Sequence, residues 1–70
     1  MFVVYFENSK GEKRKIGNGK TEQEARAVIN SFLNERAYKS YYWNICKIDE
    51  KTERIDVGSW SEFFYIVKGN

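Results

Sequence analysis

Three observations predict an α+β fold, a single small domain in the order ββαβββ (or ββαββ), with an antiparallel sheet and one helix packed on one face. One segment alone, residues 22–33, has helical apolar spacing, the other apolar runs are rich in β-branched and aromatic residues, and turn residues separate them. Seventy residues make one domain near the size where a single core is only just sufficient. No linker, repeat or low-complexity stretch divides the chain, and it contains no proline.

Residues 2–6, Phe-Val-Val-Tyr-Phe, carry apolar side chains on both parities, so they read as a central strand. Asn8, Ser9, Lys10 and Gly11 supply turn chemistry, with Gly11 free to take a positive φ. Residues 12–16 return as a hairpin arm whose polarity marks an edge. Gly17, Asn18 and Gly19 are expected to break that strand.

Thr21-Glu22-Gln23-Glu24 has the form of a capping box, with Thr21 accepting from the amide of residue 24 and Glu24 reaching back, so a helix should begin at Glu22. Ala25, Val28, Ile29, Phe32 and Leu33 form one continuous apolar stripe. Glu22 and Arg26 sit four apart in the favourable order. The helix should fade over residues 37–39.

Residues 41–48, Tyr-Tyr-Trp-Asn-Ile-Cys-Lys-Ile, have strand propensity on both parities, and residues 53–57 should pair back on them with Ile55 and Val57 facing one way. Gly58 marks a bulge or tight bend. Residues 60–67 then form a last strand that is apolar on both faces, and residues 68–70 are expected to fray. The first and last strands are the expected interior strands.

The formal net charge is only +2, too small to imply nucleic acid by itself. Five cations between Lys10 and Lys20 face Glu12 alone, a local +4. Lys13, Arg14 and Lys15 are therefore candidates for contact with a phosphate or an acidic partner, beside the plainer reading of a solvated, aggregation-resistant edge. The absence of histidine removes the commonest general base, and the single cysteine, Cys46, rules out an intrachain disulfide. Cys46 is expected to be a small buried hydrophobe. No catalytic residue, metal ligand or cofactor site is expected, and the residues around 17–21 lack the spacing of a phosphate loop. No apolar run approaches a membrane span of about 18 residues, and residues 1–6 lack the form of a leader, so the expected location is cytoplasmic.

Twelve aromatics (five Phe, five Tyr, two Trp) are more than one helix can cover on one face of a sheet. Tyr41, Tyr42 and Trp43 adjoin and cannot all point the same way. The expected partner-binding surface therefore uses Trp60 and Trp43 as anchors, Tyr41 and Tyr42 for apolar area, and Arg36 and Glu62 for polar register. A homodimer burying two sheet faces is one alternative. A nucleotide or nucleic-acid module using the basic edge and an aromatic ring is another.

Residues 56–64, Asp-Val-Gly-Ser-Trp-Ser-Glu-Phe-Phe, with Tyr5-Phe6-Glu7-Asn8 and Ser40-Tyr41-Tyr42-Trp43, resemble short proteins encoded by phages and prophages of Gram-positive bacteria. Trp60 occupies a position where that pattern more often has histidine, so no ligand or base role carries over. The resemblance implies a non-enzymatic accessory protein acting inside the bacterial host cell. Its implied partner is a host protein, and its implied effect is inhibition of host defence, CRISPR included.

Overall fold

The computed structural model describes residues 1–36, 43–58 and 61–69. The order is β1 (Phe2–Glu7), β2 (Lys13–Gly19), α1 (Glu22–Glu35), β3 (Asn44–Lys47), β4 (Thr52–Asp56) and β5 (Phe63–Lys68). One sheet in the spatial order β2-β1-β5-β4-β3 holds all five strands, and every neighbouring pair is antiparallel. The ββαβββ order is thus the observed one, with the two-faced β1 and β5 adjacent at the centre. Gly58 separates β4 from β5 with φ of 98°, and its N–H donates to Asp56 Oδ1 at 2.9 Å. Gly11 likewise takes φ of 82° in the β1–β2 turn.

Gly17, Asn18 and Gly19 do not break β2. Gly17 pairs with Val4 and Gly19 with Phe2. A Cβ at Gly17 would lie 2.7 Å from Val28 Cγ1, and one at Gly19 would lie 2.7 Å from Glu24 Cβ and 2.8 Å from the Ala25 nitrogen. These glycines mark where the helix crosses the strand, and close approach, not a turn, is what requires them.

The helix starts as its sequence dictates: Thr21 Oγ1 accepts from the Glu24 amide at 3.1 Å. Glu24 reaches one residue further back than the standard box, accepting from the Lys20 amide at 2.8 Å. Ala25, Ile29 and Leu33 are buried, with Val28 and Phe32 packed beside them. Glu22 and Arg26 pair at 3.0 Å. Below the stripe lie Val4, Phe6, Ile55, Val57, Phe64 and Ile66. Phe6, Phe32 and Phe64 form a ring cluster with centroids 4.8–5.5 Å apart, within the range where aromatic pairs attract.

The helix is offset. Its backbone lies nearest β2 and β1 and then β5, and it meets β4 through side chains alone. β3 therefore lies outside its cover, and all four residues of β3 are exposed. This corrects the reading of Cys46 as buried: it is exposed, opposite Arg54. The expected fraying also needs correction for Lys68 and Gly69. The Lys68 amide donates to the Lys51 carbonyl and the Gly69 amide to the Met1 carbonyl, both at 2.7 Å.

Candidate functional site

Residues opposite one another in an antiparallel sheet project from the same face, so the register assigns every side chain. Phe2, Val4 and Phe6 meet Lys68, Ile66 and Phe64 on the helix side. Val3, Tyr5 and Glu7 meet Val67, Tyr65 and Phe63 on the other face. Arg54 lies opposite Tyr65 from the β4 side, and Lys15 and Lys13 lie opposite Tyr5 and Glu7 from the β2 side. No described helix or strand lies across this open face.

Tyr65 is nevertheless only 8% exposed. Its hydroxyl donates to Glu7 Oε1 at 2.8 Å, and Lys13 Nζ sits 4.0 Å from the centre of its ring. The Arg54 guanidinium lies 5.0 Å from the Phe63 ring in the same way. Long cationic side chains from β2 and β4 thus do the work of a second layer, laying apolar stems and charged heads over the rings of β5. Burial pushes the Tyr65 phenol above its ordinary value, and the Glu7 carboxylate pushes it further.

Beside Tyr65 runs a groove of about 480 Å³, lined by Tyr5, Val67, Lys13, Lys15, Thr52 and Ile48 among others. The basic edge is split between the two faces. By register Lys13 and Lys15 lie on the open face and Arg14, opposite Phe6, on the helix side, while Lys13 and Arg14 both border the groove and a second cleft of about 370 Å³ with Arg36, Asn8 and Glu12. A bulge at Ile16, between the pairs made by Val4 and Tyr5, accounts for the irregular register.

Two of the other expected site residues, Arg36 and Glu62, meet at the C-terminal end of α1. Arg36 lies over the rings of Phe6 and Phe32, 4.9 and 4.8 Å from their centres, and reaches Glu62 Oε2 at 3.8 Å. The two residues expected to set polar register with a partner are thus placed against each other. Trp43 is half-buried against the core. Tyr41, Tyr42 and Trp60 lie outside the described residues.

One further group of carboxylates was not expected from the sequence. Glu53, on the helix side of β4, stands by Glu22, whose carboxyl, together with burial, holds the Glu53 carboxyl above its usual range. The same contact holds Glu22 below its usual range, assisted by Arg26. Glu53 Oε1 is enclosed, with no hydrogen-bond partner among the described residues. The pair borders a pocket of about 180 Å³ with Phe2, Ile66, Lys47 and Lys68. Among the described residues no group of three or more acidic or cysteine side chains is placed to hold a metal ion, and no helix is long and apolar enough to cross a membrane.

Sequence reasoning located the basic edge but missed Tyr5, Glu7, Arg54, Phe63 and Tyr65 as one surface. The two-parity patterns of β1 and β5 were the available signal. What they lacked was the adjacency of β1 and β5, which brings Tyr5, Tyr65 and Glu7 together. No family model matches the chain, and no curated protein or solved structure matches it.

Proposed function

We propose that the chain is a non-enzymatic binding protein that docks an acidic surface of a host protein on its open sheet face. The observation that supports this reading best is the groove beside Tyr65, where Tyr5 and Val67 are flanked by three cations, Lys13, Arg14 and Lys15, against one acid, Asp49. Aromatic rings supply rigid contact area, and cations at the rim select an acidic partner and speed its approach. The resemblance to small phage proteins supplies the biological context, inhibition of a host defence system such as CRISPR inside the bacterial cell. Arg36 and Glu62 pair at the C-terminal end of α1, where a large partner would extend past the groove.

The test compares capture from host lysate by wild type, Tyr5→Ala with Lys15→Glu, and a helix-face control, Ser31→Glu. The same specific partner should be retained by wild type and control and lost by the open-face variant. A folded open-face variant that keeps every specific partner contradicts the reading.

A second reading is single-stranded nucleic acid, favoured by the placement of Lys15 directly opposite Tyr5. A base would stack on Tyr5 while phosphates meet Lys13 and Lys15. Titration with a short single strand would then weaken steeply as salt rises. A titration that shows no binding at low salt removes it.

A further inference from the structure

The two edges of the sheet are unlike. On β2, Lys13, Arg14 and Lys15 line the strand, a bulge interrupts it, and α1 packs against it. Such features discourage the addition of another strand. β3 has no bulge and no proline, and Lys47 is its only charge. Ile45 and Ile48, 37% and 52% exposed, sit on and beside it, and no other described large apolar side chain except Met1 is so exposed.

The β3–β4 hairpin fixes which main-chain groups face outward. The Ile48 amide donates to the Thr52 carbonyl at 2.9 Å, and hydrogen-bonded pairs alternate with non-bonded pairs along an antiparallel ladder. Cys46 and Asn44 therefore bond inward to Arg54 and Asp56. Ile45 and Lys47 turn their N–H and C=O groups outward, away from β4.

We propose that β3 pairs antiparallel with β3 of a second copy, about a two-fold axis at Ile45. An axis normal to a continuous sheet must pass a residue and its own mate, which leaves few registers. At Lys47 two ammonium groups would oppose. At Cys46 the axis would fall on main-chain groups that point inward, and Ile45 would face Lys47. At Ile45 the two isoleucines cover each other and their outward amides exchange hydrogen bonds. Lys47 then falls opposite Trp43 of the second copy, a cation beside an indole. The product is one continuous sheet with both helices on one side and both open faces on the other. This dimer is independent of the docking reading, because it uses a different edge and no groove residue named above except Ile48.

Sedimentation from micromolar to millimolar concentration should show a reversible dimer. Ile45→Pro removes an outward amide, a change that edge strands accept, and Ile45→Asp sets two carboxylates across the axis. Each should weaken association at least about tenfold while circular dichroism stays native. In a Cys46→Ser background, Ile45→Cys should cross-link on mild oxidation, since such a pair holds its Cα atoms about 5.5 Å apart, within disulfide range. A chain that is monomeric throughout, or a dimer indifferent to both Ile45→Pro and Ile45→Asp, overturns the proposal. Efficient cross-linking through native Cys46 with none through Ile45→Cys overturns the proposed axis.

Discussion

The two faces of this sheet bury similar strands by different means. On the helix side, Phe6, Phe32 and Phe64 pack ring to ring under α1, and Phe64 is 2% exposed. On the open side, Tyr65 is almost as well covered, but by Lys13 over its ring, Glu7 on its hydroxyl, and Arg54 and Tyr5 to either side. A two-faced strand therefore does not require a second layer of secondary structure. Long side chains of the same sheet suffice, from an adjacent strand or one strand further, provided that register sets a cation or a carboxylate at the correct distance. On the helix side the Phe6, Phe32 and Phe64 cluster rests on area removed from water and holds no titrating group. The open face rests on charge, which salt and pH do affect.

This difference predicts how substitutions should rank. The largest loss belongs to Phe64→Ala, about 3–5 kcal/mol of unfolding free energy in urea titration, because it removes the centre of the ring cluster. Gly19→Ala should cost about 1–3 kcal/mol by the same measurement, since its Cβ would meet the Glu24 Cβ and the Ala25 nitrogen. On the open face, Tyr65→Phe removes the hydroxyl donor to Glu7 and should cost about 1–2 kcal/mol. An equal loss from Tyr65→Phe and Phe64→Ala would erase the distinction between the faces.

The smallest effects should be those of pH. The Tyr65 phenol is raised above its ordinary value of 10.0, first by burial and then by Glu7. The folded state therefore holds this proton more tightly than the unfolded state. The associated stability is complete below pH 10 and disappears as pH climbs through the folded value. Urea midpoints should fall over that window in wild type and fall less in Tyr65→Phe. Glu53 is also raised, so its contribution is present at acid pH and lost as pH rises, and Glu53→Gln should raise the midpoint at neutral pH. A lower midpoint for Glu53→Gln at neutral pH would show that the carboxylate is satisfied elsewhere.

Local patterns carried the element order, the cap at Thr21, the apolar stripe of α1 and the Gly58 break, because each depends on neighbours in the chain. The interior placement of β1 and β5 was legible from their two-parity apolar runs. Gly17 and Gly19 were misleading, since a glycine required by a crossing helix looks the same in sequence as one required by a turn. Cys46 was misread because burial of β3 depends on how far α1 reaches across the sheet, a tertiary quantity. The open-face surface needed the β1–β5 register, which joins residues 58 positions apart such as Glu7 and Tyr65. The basic edge was visible, but its division into Lys13 and Lys15 on one face and Arg14 on the other was not.

That the open face is closed by the sheet's own charged side chains is tested most directly by a double-mutant cycle on Lys13 and Tyr65. Urea unfolding of wild type, Lys13→Met, Tyr65→Leu and the double variant should give a favourable coupling of about 0.5–1 kcal/mol at low salt, reduced at high salt. A coupling of zero at low salt, with all four proteins folded, would contradict it.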